Sequence, residues 1–266
     1  MNSDNHRARK RFGQNFLHDQ TIIQRIVDTI NPQAHDHIIE IGPGKGALTL
    51  PLLNRIEKLN VIEIDKDLAA ALRTKFEDKK RLTIHETDAL NLDFNSFEHT
   101  DLRIVGNLPY NISTPILFHL LKYRESIKDM TFMLQKELVD RICANSGNKQ
   151  YGRLSIMVQY YCDVESLFII KPEAFTPSPK VDSAIVKLTP HPHPRYELSD
   201  HESLKIIVRE SFSQRRKTIR NALRKYLDES AIRNAGIAPE NRAENLEVSD
   251  FVALANCYHH MKINTL

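Results

Sequence analysis

The sequence has 266 residues, enough for one large domain or for one domain with a small appendage. Hydrophobic residues make up 41% and charged residues 27%, which is ordinary for a globular protein and argues against a disordered chain. The net charge of +3 permits a nucleic-acid partner without requiring one.

The cysteines and the apolar runs exclude several classes of protein. Three cysteines without a C-x-x-C pair argue against a disulfide framework and against a cysteine-based zinc site. The polar start lacks the apolar core of a secretory signal, and no apolar run approaches the ~20 residues of a membrane span. We therefore expect a cytoplasmic protein that contacts no membrane and needs no metal.

The predicted elements begin after a basic segment, where the cluster Arg7–Arg11 is either a tail or an RNA contact. Apolar spacing predicts a helix over residues 21–30, and strands and helices then alternate. The predicted strands are 37–41, 59–64, 82–85, 102–105 and 130–134, and the intervening helices are 47–56, 67–76 and 115–121. Two further β-like runs are 155–161 and 183–188. Such alternation predicts βαβ units and a mostly parallel sheet, with ligands beyond the carboxyl ends of the strands.

The chain changes character at a proline-rich segment. Three prolines interrupt residues 189–194, so this segment is predicted to be neither helix nor central strand. Beyond it the apolar residues keep helical spacing and no strand is predicted. We place a domain boundary there, between a domain of residues 1–190 and a small all-α domain of residues 191–266.

A glycine-rich loop, Glu40–Gly46, follows the first strand of the alternation and opens a helix. Gly42 and Gly44 allow a tight turn and a close approach of the backbone to a ligand. Glu63 ends the next strand, where a carboxylate can accept hydrogen bonds from ribose hydroxyls, and Asp88 follows the third strand, where it could bind an adenine amine. The loop also fits the relaxed dinucleotide pattern, so a nicotinamide cofactor and S-adenosylmethionine are both open at this point.

The tetrapeptide Asn107-Leu108-Pro109-Tyr110 ends the fourth strand and so faces the same cleft. The exocyclic amine of adenine is a poor nucleophile, but the side-chain oxygen of Asn107 and the carbonyl of Leu108 could accept both of its hydrogens. Pro109 holds the preceding residue extended, and Tyr110 offers a flat face for the base. The sulfonium methyl is already activated, so catalysis by positioning would suffice. Elsewhere in a protein these four residues would indicate only a turn.

Four segments together resemble the rRNA adenine dimethyltransferase family, in particular its bacterial KsgA/RsmA type. They are residues 13–17, 40–46, 107–110 and 175–184. The resemblance implies a Rossmann-like class I methyltransferase sheet with helices on both faces, plus a small all-α C-terminal domain. It also implies S-adenosylmethionine as methyl donor and the dimethylation of two adjacent adenosines in 16S rRNA of the small ribosomal subunit, with a role in ribosome biogenesis.

The resemblance assigns roles to individual residues. Asn15 and Leu17 are implied to contact the methionine end of the cofactor, and Gly42 to lie against it; Gly44 is a candidate cofactor-binding residue from the glycine loop itself. Glu63 is implied to bind its ribose, Asp88 its adenine, and Asn107 to border the sulfonium. Tyr110 and Phe175 are implied to sandwich the target base. Nothing resembles a dedicated dimer interface, so we expect a monomer.

A basic run in the C-terminal region suggests where RNA binds. Residues 209–225 hold seven basic residues and one acid. On one helix, Arg216, Arg220 and Arg224 would share a face suited to phosphate contacts. A solvated charged helix is the alternative.

Three other functions stay open from the sequence. A resistance-type methylase of large-subunit rRNA would share the glycine loop, although residues 180–183 favour the small-subunit type. An RNA-binding assembly factor could use the same basic surface without catalysis. A nicotinamide oxidoreductase would leave residues 107–110 unexplained.

Overall fold

The computed structural model describes residues 15–77, 80–109, 112–214 and 216–264. The strands are β1 (Phe16–Leu17), β2 (Ile38–Ile41), β3 (Leu59–Glu63), β4 (Leu82–Glu86), β5 (Leu102–Asn107), β6 (Ile127–Gln135), β7 (Cys162–Ile170), β8 (Phe175–Thr176) and β9 (Ser183–Pro190). The α-helices are α1 (Gln20–Ile30), α2 (Thr49–Leu53), α3 (Lys66–Lys75), α4 (Ser113–Leu120), α5 (Lys136–Ile142), α6 (Arg153–Gln159), α7 (His201–Ser211), α8 (Ile219–Leu223), α9 (Glu229–Asn234) and α10 (Val248–Asn264).

Seven strands form one sheet in the order β4-β3-β2-β5-β6-β9-β7. The pairs β2–β3, β3–β4, β2–β5 and β5–β6 are parallel, and β6–β9 is antiparallel. The predicted α/β class is therefore confirmed, with an antiparallel strand making the sheet mixed. The chain runs from β2 outward to β4 and then returns to β5 on the other side of β2. Such a reversal opens a crevice at the carboxyl ends of β2 and β5, which is where ligands bind in this kind of sheet.

Local sequence explains the elements that flank this crevice. All four residues of β2 are buried, as expected for a central strand covered on both faces. Helix α1 begins at Asp19, whose carboxylate accepts hydrogen bonds from the backbone of Thr21 and Ile22, and it ends at Asn31 in the left-handed conformation.

The structure forms two compact units, and each has its own apolar core. The first comprises Met1–Val139 with Glu165–Pro190, and the second comprises Asp140–Val164 with His191–Leu266. The predicted boundary at residue 190 coincides with one division, but residues 140–164 belong to the helical unit and not to the domain 1–190. The reason is packing: apolar side chains of this excursion, such as Ile156, share a core with Leu204 and Ile207 of α7.

Two predictions of local structure were wrong. The run 155–161 is not a strand: residues 155–159 form most of α6, and residues 160 and 161 follow the helix. The next strand, β7, was not predicted. Residues Leu154–Val158 are all buried, so the helix shows no polar face and its apolar run resembles a strand. Strand β9 continues to Pro190, inside the segment predicted to be outside any central strand. Its pairing with β6 ends at Leu188, so the proline removes no hydrogen bond from that ladder.

Across the described residues, every helix is too short or too polar to cross a lipid bilayer.

Candidate active site

One pocket in the first unit lies at the carboxyl ends of β2, β3 and β5. It encloses about 1210 Å³, including space open to solvent. The predicted cofactor and catalytic residues that the structure describes line it, together with Phe175, which was predicted to contact the target base: Asn15, Leu17, Gly42, Gly44, Glu63, Asp88, Asn107, Leu108, Pro109 and Phe175. Residues far apart in the sequence therefore meet at the crevice that the strand order creates. Tyr110 lies outside the described residues.

The glycine loop after β2 needs its glycines for backbone conformation. Gly42 and Gly44 have φ values of 68° and 58°, in the left-handed region that other residues rarely adopt. The N–H of Gly42 donates to the carbonyl of Ile62 at 2.9 Å, which turns the loop across the end of β3. The backbone N–H of Gly44 donates to Glu63 Oε2 at 3.2 Å, so the loop is bound to the acid that ends that strand.

Gly106 supports the pocket without lining it, and the sequence interpretation missed it. It pairs with Ile41 across β2 and β5. A Cβ at this position would lie 2.4 Å from the Ile41 carbonyl oxygen, so only glycine fits. This contact immediately precedes both Gly42 and Asn107, and it brings the glycine loop and Asn107 close together.

Two buried acids, Glu40 and Glu63, line the pocket. Glu63 accepts hydrogen bonds from the backbone N–H groups of Gly44 and Asp65, and its burial raises its pKa. Glu40 is only 2% exposed, and its Oε2 accepts a hydrogen bond from Thr49 Oγ1 at 2.7 Å. Burial, together with the charge of Glu63, raises the pKa of Glu40 to about 7. Glu40 was not predicted as a functional residue, although a carboxyl within a fully buried strand is a signal for one.

Asp88 and Ile64 line the part of the pocket beside Glu63. Asp88 is half-buried and accepts a hydrogen bond from the backbone of Leu90 at 2.9 Å, which fixes its carboxylate. Ile64 is 47% exposed although it is apolar, and it lines the same pocket. An exposed apolar side chain in a pocket is suited to the face of a flat base. The sequence interpretation missed Ile64. Its position directly after Glu63, the acid that ends β3, could have indicated a pocket residue.

Asn107 has a fixed amide orientation. Its Nδ2 donates a hydrogen bond to the backbone carbonyl of Asn15 at 3.1 Å. Since the amide nitrogen is engaged, the other branch of the side chain is an acceptor, Oδ1. In the described part of the chain, no donor reaches this oxygen.

Leu108 and Pro109 complete the turn out of β5. The N–H of Leu108 donates to Met133 at 3.2 Å, while the carbonyl of Pro109 accepts hydrogen bonds from Ile112 N and Ser113 Oγ. Among the residues described, none donates to the Leu108 carbonyl. The turn therefore supplies two acceptors on consecutive residues, Asn107 Oδ1 and Leu108 O, as the residue types predicted.

A two-stranded sheet joins the N-terminal motif to the proline-rich loop. In β1 and β8, Phe16 pairs with Thr176 and Leu17 pairs with Phe175. Phe175 is 4% exposed and belongs to the core of the unit, so its ring forms pocket wall and does not offer an open stacking face in this conformation. The sequence suggested both segments separately but not their pairing.

The predicted basic helix is interrupted. Helix α7 ends at Ser211 and α8 covers only Ile219–Leu223, so Arg216 lies in the connection and Arg224 at the end of α8. Arg216, Arg220 and Arg224 are exposed but do not share the face of one helix. The hydroxyl of Ser213 donates to the backbone carbonyl of Glu210, an alternative to helical hydrogen bonding that such residues favour.

The connection between α7 and α8 brings a further basic residue to this surface. Thr218 forms an antiparallel bridge with Arg242, and Ile219 N donates to the carbonyl of Asn241 at 2.7 Å. The bridge therefore holds exposed Arg242 beside the segment 217–220, which contains Lys217 and Arg220. It was not among the predicted RNA contacts, because it is distant in sequence from the basic run.

Within the described ranges, one cluster contains potential metal ligands, His37, His99 and Asp101. The two imidazole rings stack with their centroids 3.4 Å apart and an interplanar angle of 15°. Lone pairs in nearly parallel ring planes do not converge on one ion. His37 and Asp101 immediately precede β2 and β5, so the cluster lies at the amino ends of these strands, whereas the pocket lies at their carboxyl ends.

Comparisons with known proteins show the family. A family model described as ribosomal RNA adenine dimethylase matches residues 5–260. The chain is 54% identical to ribosomal RNA small subunit methyltransferase A of Pseudomonas putida, over 94% of this chain and 95% of that protein. Its identity to the protein of that name from Alcanivorax borkumensis is 51%, over 94% of this chain and 90% of that one.

Solved structures show the same relationship. A dimethyladenosine transferase from Plasmodium falciparum superimposes with a TM-score of 0.76 and 28% identity, over 94% of this chain and 98% of that chain. The 23S rRNA methyltransferase ErmE gives a TM-score of 0.72 and 27% identity, over 92% of this chain and 100% of that chain. This chain therefore belongs to the ribosomal RNA adenine dimethylase family.

Proposed function

We propose that this protein transfers methyl groups from S-adenosylmethionine to the N6 amines of two adjacent adenosines in 16S rRNA, dimethylating each, and thereby serves ribosome biogenesis. The observation that carries the proposal is the meeting of the glycine loop, the strand-ending acids and Asn107 in one pocket. We expect the protein to act as a monomer in the cytoplasm on the small ribosomal subunit or its precursor.

The side chains of the pocket fit S-adenosylmethionine by the chemistry of their donors and acceptors. Glu63 has carboxylate lone pairs for ribose hydroxyls beyond those used by Gly44 and Asp65. Asp88 can accept a hydrogen bond from the adenine amine, and Ile64 can cover the face of that base. Asn15 and Leu17 border the glycine loop, where the methionine end would lie. When bound, S-adenosylmethionine supplies an activated methyl group on its sulfonium.

The residues of the tetrapeptide then act on the target amine. In the first transfer, Asn107 Oδ1 and the Leu108 carbonyl would each accept one amine hydrogen, which draws the nitrogen away from planarity and frees its lone pair to take the methyl group as the bond between that methyl and sulfur breaks. The monomethylated amine has one hydrogen left, so only one of the two acceptors would bind it in the second transfer, and each transfer releases one amine proton to water. Because Asn15 holds the amide of Asn107, the acceptor is oriented before the substrate arrives. The reaction needs positioning more than proton abstraction, so no strong base is required.

Exposed basic residues of the helical unit are proposed to bind the phosphates of the RNA. These residues are Arg216, Arg220 and Arg224, and Arg242 is added to the same basic surface because it forms a bridge with Thr218. Arg220 also pairs with Glu229 at 3.2 Å, an exposed contact that phosphate can compete with. We expect these contacts to set affinity for the particle, since phosphate contacts position a protein without reading sequence.

The test uses tritiated S-adenosylmethionine and small ribosomal subunits that lack adenine dimethylation. Label recovered in dimethyladenosine, and lost with Asn107→Ala, is the expected result. Label found only with large-subunit RNA would replace the proposal with the resistance-type activity. Tight particle binding without any transfer would instead leave a non-catalytic assembly role.

A further inference from the structure

The charges that line the pocket are unbalanced. Three carboxyl groups, Glu40, Glu63 and Asp88, face a single lysine or arginine among the described lining residues, Lys45. The mechanism proposed above uses acids and neutral acceptors and leaves Lys45 without a role. A lone cation among acids in a binding pocket suggests a ligand with a negative group at that point.

Lys45 lies between two glycines in the loop after β2. Its ammonium nitrogen is 5.1 Å from the centroid of the Phe16 ring, in the range of a cation–π contact. Phe16 belongs to β1, and a Cβ on Gly44 would lie 3.3 Å from the same ring. The lysine therefore lies where the glycine loop and the N-terminal strand meet.

The side chain of Lys45 is available for a ligand. In the described part of the chain it forms no ion pair, and it is half-buried. The backbone carbonyl of Lys45 accepts a hydrogen bond from Lys75 Nζ at 2.8 Å, so helix α3 fixes the backbone of the glycine loop at this residue. The side chain of Lys45 is directed toward Phe16.

S-adenosylmethionine carries two positive groups, the sulfonium and the α-ammonium, and one negative group, the α-carboxylate. The acids of the pocket suit the positive groups and the hydroxyls, but they repel the carboxylate. We infer that Lys45 is a further cofactor-binding residue that pairs with the carboxylate of the methionine moiety, while Phe16 holds its side chain in place. This inference rests on the proposed function. It assigns to Lys45 the preference of the cofactor site for a methyl donor with a free carboxylate.

The experiment compares ligands with and without that carboxylate. Equilibrium binding of S-adenosylmethionine and of decarboxylated S-adenosylmethionine is measured for the wild-type protein, Lys45→Met and Lys58→Met. Methionine keeps the length of the side chain and removes its charge. Lys58 is an exposed lysine immediately before β3, at the amino end of that strand and therefore away from the pocket. It serves as the matched control.

We expect Lys45→Met to weaken S-adenosylmethionine about tenfold, the scale of one partly exposed charge-assisted hydrogen bond. Its affinity for the decarboxylated ligand should stay within about twofold of wild type, and Lys58→Met should bind both as wild type does. Lys45→Arg should recover most of the loss.

Other outcomes overturn the inference. Equal losses for the two ligands would mean that Lys45 supports the loop and not the carboxylate. Unchanged cofactor affinity with weaker binding of ribosomal particles would make it a contact to RNA phosphate. If the wild-type protein bound neither ligand, the proposed function itself would fail, which is a separate and recognisable result.

Discussion

Nδ2 of Asn107 donates a hydrogen bond to the backbone carbonyl of Asn15, 3.1 Å away, although the two residues are 92 positions apart. This contact leaves Oδ1 as the end of the amide that the proposed mechanism uses. It also gives a physical reason for an amide at a position where a carboxylate would offer the same acceptor.

Asn107→Asp should therefore inactivate the enzyme in spite of its nearly identical shape. The aspartate loses the donor and turns an oxygen toward the Asn15 carbonyl, so the acceptor geometry is lost. We expect single-turnover methyl transfer to fall by about 100-fold or more, the scale of losing one oriented polar group in an active site. Asn107→Ala is the comparison, and the melting temperature controls for folding. Transfer by the aspartate variant above half of the wild-type rate would contradict this interpretation.

Gly106→Ala should damage the pocket without touching any ligand. Its Cβ would lie 2.4 Å from the Ile41 carbonyl, so β2 and β5 must separate where the glycine loop meets Asn107. We expect the free energy of unfolding to fall by about 1–3 kcal/mol, as for overpacked cores, and cofactor affinity to fall with it.

Gly152→Ala is the control for the preceding substitution. Gly152 is the N-cap of α6, its backbone is extended, and the nearest atom to an added Cβ is 4.0 Å away. The alanine should therefore lose only the preference of an N-cap for glycine, about 0.5 kcal/mol in urea unfolding, which is less than the loss expected for Gly106→Ala. Similar losses for both variants would show that the narrow contact at Gly106 is not what matters.

Glu40 should make stability depend on pH near neutrality. The pKa of Glu40 is raised to about 7 in the folded protein by burial, from 4.5 when unfolded. The folded state then holds a proton that the unfolded state has lost, so this stabilisation is full below pH 4.5 and disappears as the pH rises through 7. The full effect is on the order of 3 kcal/mol.

Urea unfolding of the wild type and Glu40→Gln at pH 5, 6, 7 and 8 measures this effect. Glutamine keeps an acceptor for Thr49 but cannot ionise, so the difference in unfolding free energy between the two proteins should shift in favour of the variant as the pH rises. A difference that is constant with pH would show that Glu40 stays ionised when buried.

Reversing charge on the helical unit should weaken binding to the particle and leave the cofactor site intact. We expect Arg216→Glu combined with Arg220→Glu to lower affinity for small subunits by at least about tenfold, and to reduce the slope of log affinity against log salt by about two. Arg195→Glu, at another exposed arginine of the same unit, is the control. Unchanged particle binding by the double variant would remove this surface from the proposal.

The sequence predicted the sheet and most of the pocket because those features have local signatures. Buried parallel strands give apolar runs, and the acid of Glu63 and the glycines of the loop directly follow them. Helix α6 escaped because it is buried on all sides, and β7 because Asp163 and Glu165 interrupt its apolar pattern. Gly106, Lys45 and Arg242 depend on contacts between distant segments, which no local pattern records.

The pairing of β1 with β8 has a consequence for the newly made chain. Leu17 and Phe175 are partners although they are separated by roughly 160 residues. At about 5–20 residues per second, synthesis reaches the second partner some 8–30 s after the first. In the last part of that interval the glycine loop and Asn107 have been made, but the wall contributed by Phe175 has not. Cofactor binding should therefore mature late, after the polypeptide beyond residue 176 has left the ribosome, and nascent chains arrested earlier should retain little affinity for S-adenosylmethionine.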